Sequence, residues 1–417
     1  MITLIIFIIV LFFAWYKPPI AFALLLQTNI IRSVSEIDFN NPCFNCVTEP
    51  DPILGAILPI LSFIVIFFKL DYSNKFLKKS IDKFDLLFIL IIAALITSSL
   101  TSYSISDSIE YTIKFFLLAF PYYFVVKIYF LNSKKKILDE FIIFLKTTFY
   151  LSISFAFFAI YLASFREESI WRLTIPGVHP IPFSQLIGFG ILIGVIILLT
   201  KKSNIFYFKK YKFKLVLIIS FFLLIVQFAS NTRGVLISLI IALIYLLKMN
   251  PIKIKKTHLY SGVIGFFLIL TIILSQLNLD YFFKRFQKIG TDVSILERIR
   301  VYFDSFPIFY DTYFLGTGPG SFKYYSFLEY PHNLFLENMA TMGFMGVIVN
   351  VYFVFLILWI LINSKVWKNN ILLIFSITIF IFYFIESMFS FTLWMHKGLF
   401  FSLALISIAY HEKEKIA

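Results

Sequence analysis

Apolar residues fill this chain in long runs broken by short polar stretches. A helix needs about 20 such residues to cross a bilayer, and runs of that order recur from one end of the sequence to the other. They predict spans at 52–69, 85–103, 111–131, 141–164, 184–200, 214–230, 234–247, 258–277, 344–362, 371–386 and 397–410. The stretch before Asn40 adds one long helix or two short ones, split near Lys17, Pro18 and Pro19. The expected fold is therefore an all-α polytopic integral membrane protein with about 12 transmembrane helices. Its predicted organisation is N-terminal transmembrane helices over 1–277, a large outer loop over 278–331 between late helices, and C-terminal transmembrane helices over 332–417. The N-terminal segment lacks the basic start and small-residue cleavage site of a secretory signal, so it is read as retained.

Composition agrees with the pattern. Of 417 residues, 60% are hydrophobic, 20% aromatic and only 14% charged, more apolar surface than an aqueous fold could hide. The charges orient the chain. Lysine-rich SNKFLKKSIDK, NSKKK, KKYKFK and KMNPIKIKK fall on alternate loops, together with Lys365, Lys368, Lys413 and Lys415. Positive charge in short loops marks the cytoplasmic side. The loops at 35–51, 165–183, 231–233, 278–331 and 389–396 then face outward. The net charge of +14 reflects this sidedness, and no nucleic-acid partner is needed to account for it. Lys127 and Lys146 lie within spans near their inner ends, where snorkelling explains them. Cys43 and Cys46 form a CxxC in an outward loop. A structural disulfide is the favoured reading, because two thiols alone make a poor zinc site and a redox motif needs a soluble fold.

The arginines are distributed differently. Of the 37 basic side chains only seven are arginine, and Arg32, Arg166, Arg172, Arg233, Arg285, Arg298 and Arg300 all lie on or near the outer face. Guanidinium presents a rigid planar fork that grips phosphate or carboxylate bidentately, so an anionic ligand at that level, such as a lipid-linked phosphate or pyrophosphate, is expected. Nearby Glu167, Glu168, Asp280, Glu297, Asp304 and Asp311 offer ordinary ion pairs to several of them. Arg233 has no acid near it in sequence and sits in a short turn between two apolar spans, where an ionisable group is costly and reads as functional.

In the long outer loop, DVSILERIRVYFDSFPIFYDTYF reads as an amphipathic surface helix carrying Arg298 and Arg300. GTGPG follows, a tight turn around Gly318 where backbone approaches a ligand closely. YPHNLFLENMATMGFMG comes next. With a helix starting near Pro331, His332, Asn333 and Glu337 fall in its first turns, and Asn333 and Glu337 share a face. Histidine is suited to proton transfer near neutrality. His179 and His396 also face outward and are read as secondary, exposed groups. No outer carboxylate cluster suited to Mg²⁺ and no nucleotide-binding fold is found, so no metal or cofactor is expected. A transporter would show internal repeats and broken helices near the midplane, and neither is found.

SNTRG, ERIRVYFDSFPIFYDTYFLGTGPGSF and HNLFLENMATMGFMG, in this order and spacing, resemble the O-antigen ligase and O-antigen polymerase superfamily over 227–347. The resemblance implies a GT-C-like glycosyltransferase of the bacterial inner membrane, with its active site facing the periplasm. It implies an undecaprenyl-pyrophosphate-linked oligosaccharide donor, a lipid-linked or lipid A–core saccharide acceptor, and inverting, metal-independent chemistry. Membrane lipids and other polysaccharide-assembly proteins would surround it. Arg233 and Arg298 match pyrophosphate-contacting arginines and His332 matches the catalytic histidine, with Asn333, Glu337, Arg300, Gly318 and Arg172 in supporting places. Polymerase is the leading reading and ligase the alternative, ahead of a protein O-oligosaccharyltransferase or a lipid-linked sugar transporter.

Overall fold

The computed structural model describes residues 2–35, 37, 53–70, 81–133, 137–164, 172–199, 210–249, 293–364 and 370–416. The CxxC of Cys43 and Cys46, the expected span 258–277, Arg166 and Arg285 lie outside these residues. Every regular element among the described residues is helical. In chain order they are α1 (Ile2–Tyr16), α2 (Pro18–Leu26), α3 (Thr28–Ser35), a π turn at Ile53–Ile57, α4 (Leu58–Phe68), α5 (Lys83–Leu100), α6 (Ile105–Leu118), α7 (Phe120–Asn132) and α8 (Ile137–Ala163). There follow α9 (Pro180–Leu199), α10 (Lys210–Ala229), α11 (Arg233–Met249), α12 (Val293–Asp311), α13 (Leu334–Ser364), α14 (Ile371–Ser387) and α15 (Lys397–Ile416). Five stretches, Lys83–Leu100, Ile105–Asn132, Ile137–Ala163, Pro180–Leu199 and Leu334–Ser364, are long and apolar enough to cross a membrane, and five shorter apolar helices accompany them. This is an integral membrane architecture.

Helix breaks follow the local chemistry. The N-terminal run divides at Lys17, whose φ of −147° and ψ of 74° lie outside the helical region that a following proline disfavours, and Pro18 and Pro19 open α2. Pro121 likewise sits at the start of α7, after a break at Ala119, so the expected span 111–131 is two helices end to end. At the N-terminus of α5, Asp82 and Asp85 form a reciprocal capping box. The same two carboxylates correct the snorkelling expectation for Lys127. Its ammonium is buried and lies 3.2 Å from Asp82 and 2.6 Å from Asp85, an internal ion-pair cluster that joins α7 to α5.

Helix α9 occupies the centre. Its apolar window is 78% buried within the protein, against 28% for α13, which therefore lies at the lipid-facing periphery. Small residues allow this crowding: a Cβ on Gly190 would come within 2.5 Å of the Ser152 side chain on α8. Outward apolar side chains such as Leu100, Phe344 and Ile362 cover the lipid-facing surface.

The ends at 101–104, 172–179, 230–232, 312–333 and 388–396, which the lysine pattern predicts to face outward, are joined by hydrogen bonds. Tyr103 N donates to Thr317 O (3.1 Å) and Leu173 N to Ala229 O (2.9 Å). The glycine turn sits among these ends. Gly316, Gly318 and Gly320 have φ of 83°, 89° and 75°, the left-handed region that glycine alone enters readily. The turn does bring backbone close, but to other parts of the protein. Thr317 N and Gly318 N bond to Ala340 O (3.0 Å) and Thr341 O (2.9 Å) of α13. A Cβ on Gly318 would collide with Ser102. Helix α13 is broken in turn at Gly343 (φ 58°, ψ −138°), where Phe344 N donates to Phe314 O at 2.8 Å. The surface helix and the membrane helix are thus clamped at one point.

Candidate active site

The site is built around the end of α14. Its last turn closes with Met388 N on Ile385 O (3.2 Å) and Phe389 N on Glu386 O (2.9 Å), leaving the carbonyls of Met388 and Phe389 without helical donors. These lie at the negative end of the helix dipole and attract cations. Arg298 Nη1 donates to Phe389 O at 2.8 Å. One turn further along α12, Tyr302 Oη reaches Met388 O at 3.2 Å, and Asn333 Nδ2 reaches the same oxygen at 3.1 Å. Helix α11 begins at Arg233, and a Cβ on its neighbour Gly234 would lie 3.3 Å from Phe389 Cβ. The Met388–Phe389 turn therefore gathers the stretches that carry Arg298, His332 and Arg233.

His332 is not in the first turn of α13 as expected. Asn333 is the cap, accepting from Phe335 N and Leu336 N at 3.1 Å each, so the helix opens at Leu334. His332 precedes the cap in a left-handed conformation with φ 57°, which a non-glycine residue holds only when its surroundings impose it. Its ring lies 4.4 Å from that of Tyr330, and Nδ1 is buried with no hydrogen-bond partner among the described residues. Burial, then the charge of Arg298, then His179, lowers its pKa to about 4, so the imidazole is uncharged at neutral pH.

Two buried networks hold the surroundings. Glu337, one turn into α13, accepts from Tyr111 Oη at 2.8 Å, from Leu393 N at 3.1 Å and from the Thr392 hydroxyl. Asn333 and Glu337 do share a face, and both bind the 388–393 segment. On the opposite side, Gln227 Nε2 donates to Ser184 Oγ at 2.6 Å, Ser184 and Thr232 share a hydroxyl hydrogen bond, and Ser230 Oγ donates to Gln227 O at 2.7 Å. This fixes the turn just before Arg233. Arg172 stands beside the same turn through the Leu173–Ala229 bond.

Other candidates lie elsewhere. Arg300 is exposed and sits 5.1 Å from the Phe327 ring. Two helical positions from Arg298 is a rotation of about 200°, so Arg300 leaves α12 on the side away from the Arg298–Phe389 bond. Gly318 serves the clamp described above. His396 is not an exposed anchor. It is 4% exposed, packed behind the 388–396 segment, with Nε2 buried and unpartnered among the described residues. His179 is exposed, as expected, yet close enough to affect His332. Sequence reasoning missed Tyr302, Tyr330 and Glu386, a buried carboxylate that Gln185 and Ser390 reach by hydrogen bonds. It also missed the Met388–Phe389 carbonyls, since backbone acceptors carry no residue-type signal.

Residues 216–351 of the chain match the family described as O-antigen ligase. The matched stretch contains Arg233, Arg298, His332 and Glu337. No curated protein matches the chain.

Proposed function

We propose that this chain, which carries an O-antigen ligase family domain, is a polysaccharide polymerase acting at the outer face of the bacterial inner membrane. It takes an oligosaccharide from undecaprenyl pyrophosphate and passes it to a lipid-linked repeat unit. The single observation that carries the reading is the convergence on the Met388–Phe389 turn: Arg298 bonded to it, Asn333 beside His332 bonded to it, and the Arg233 end of α11 packed on it. Members of the family transfer lipid-linked saccharides, and the ordered apolar helices beside the turn suit a polyprenyl tail.

The chemistry follows from the groups present. The acceptor hydroxyl attacks the anomeric carbon as the bond to the pyrophosphate oxygen breaks from the opposite face, which inverts the configuration. Negative charge grows on the leaving pyrophosphate. Arg233 and Arg298, aided by the positive helix ends at Arg233 and Leu334, stabilise that charge with donors already in place. His332 accepts the hydroxyl proton. Its low basicity in the empty site has a consequence: a pyrophosphate that neutralises the field of Arg298 raises the imidazole's affinity for a proton. Donor binding thereby prepares the base for the acceptor hydroxyl.

The ligase alternative, with lipid A–core as acceptor, is favoured by the family description itself. A deletion strain separates the two. Core bearing single repeats indicates a lost polymerase, and bare core with lipid-linked polymer accumulating indicates a lost ligase. Unaltered surface polysaccharide overturns both. The whole-chain GT-C-like arrangement belongs to the same proposal.

A further inference from the structure

Behind Tyr330 lies a cavity of about 220 Å³, walled by the start of α6, the 320–330 segment, the start of α13 and the 392–395 turn. Tyr330 forms part of its wall, and its ring meets that of His332 at a tilt of 53° with centroids 4.4 Å apart, so the imidazole lies directly behind this wall. The Glu337 network forms its floor, with Tyr111 and Thr392 held against the carboxylate.

Its lining differs in kind from the arginine side. No arginine contributes to it. Asp107, Glu110 and Glu329 face it together with Lys114 and Lys323, so carboxylates outnumber ammonium groups even before Glu337 is counted. Lys323 lies 3.1 Å from Asp107, and Lys114 pairs with Glu110 while its Nζ stands 5.5 Å from the Trp394 ring. Such a surface repels pyrophosphate. It suits a sugar ring: aromatic faces of Trp394 and Tyr330 cover the apolar C–H side of a pyranose, and carboxylates and ammonium groups at the rim bond to adjacent hydroxyls. Its volume accommodates a single residue of a saccharide, not a chain.

We propose that this cavity is the subsite for the acceptor's terminal sugar, neutral or amino-substituted rather than acidic, and that the attacking hydroxyl at its rim reaches His332 past the edge of the Tyr330 ring. The inference rests on the transferase reading. It adds a division of labour: diphosphate on the Arg233–Arg298 side, acceptor sugar on the Trp394–Glu110 side, with His332 between them. Trp394, Glu110 and Lys114 are then specificity residues for the acceptor, without contact to the leaving group.

The test uses the full chain in lipid nanodiscs and two probes. One is the soluble saccharide released by mild acid from the lipid-linked material that accumulates in cells lacking this protein. The other is undecaprenyl diphosphate. Saturation-transfer NMR reports saccharide binding, and a lipid-exchange assay reports diphosphate binding. Trp394→Leu and, separately, the rim substitution Glu110→Gln should each weaken saccharide binding at least tenfold while undecaprenyl diphosphate binds as before. Arg298→Lys should show the reverse pattern. The acceptor subsite is overturned if the saccharide does not bind the wild-type chain, or if it binds wild type and both cavity variants equally. The transferase reading fails on a different result: undecaprenyl diphosphate binding that is indifferent to Arg233→Ala and Arg298→Lys. Glu110 is largely exposed, so its variant retains the fold even where Trp394→Leu does not.

Discussion

At the scale of single residues, His332 is the most constrained group at the site. Its backbone is left-handed, its Nδ1 is buried, and its pKa is lowered to about 4 by burial and by Arg298. His332→Gln keeps the size of the side chain and removes the base, so transfer should fall by about 10²–10⁴-fold while undecaprenyl diphosphate binding persists. The pH dependence follows from the sign of the shift. A base whose pKa is depressed remains unprotonated far into acid, so the acid limb for free enzyme should lie near 4 rather than 6.5. At saturating donor it should move upward, because the bound diphosphate offsets Arg298. Before donor is added, Arg298→Gln should move the His332 titration upward, though only part of the way since burial is the larger cause, a shift readable by NMR of labelled histidine. An unmoved titration would mean that burial alone sets the value. Arg298→Lys should also lower transfer, since an ammonium cannot hold Phe389 O and two phosphate oxygens with one planar fork.

At the scale of elements, the site depends on two joints, and of each only one side was legible in the sequence. The i, i+4 spacing of Asn333 and Glu337 gave their shared face, and the helix period of the ERIRVYF stretch gave α12 (Val293–Asp311) within a few residues. The partners of that face, Met388 O and Leu393 N, are backbone atoms some 55 residues away, and nothing in local pattern foretells them. Glu337→Ala leaves Leu393 N–H buried without its acceptor, at about 1–3 kcal/mol, and leaves Tyr111 Oη and the Thr392 hydroxyl only each other, so it should lower thermal stability in detergent and slacken the 388–396 segment. Glu337→Gln retains an acceptor and should lose less. The second joint is the contact of GTGPG with the Gly343 break. Glycine-rich sequence announced a turn but not its partner, which is protein backbone. Gly343→Ala puts a side chain at φ 58° against Phe314 O and Leu315, so α12 and α13 should separate. The positive-φ conformation alone costs on the order of 1–3 kcal/mol for a residue with a side chain, and the collision adds to it. A fall in melting temperature with unchanged undecaprenyl diphosphate affinity would place the effect in the clamp.

At the scale of the whole molecule, hydropathy was enough to reveal an all-helical chain rich in apolar helices, because a bilayer imposes length and apolarity on any helix that crosses it, and lysine placement supplies the expected sides. The internal cluster of Lys127 with Asp82 and Asp85 was not legible, since the carboxylates precede the lysine by some 40 positions and meet it only through the packing of α5 on α7. That cluster and the Met388–Phe389 turn lie at opposite ends of the same bundle, so the orientation of the chain decides which face holds the arginines. The orientation can be tested on both ends at once. In a chain with Cys43 and Cys46 replaced by serine, Tyr324→Cys and Ile81→Cys each place one thiol at an exposed position, 51% and 77% accessible, on the expected outer and inner levels. A membrane-impermeant maleimide should modify the first in intact spheroplasts and the second only after lysis. The opposite pattern would put the arginines in the cytoplasm, where a periplasmic lipid-linked donor cannot reach them, and would remove the physical basis for the transfer reaction.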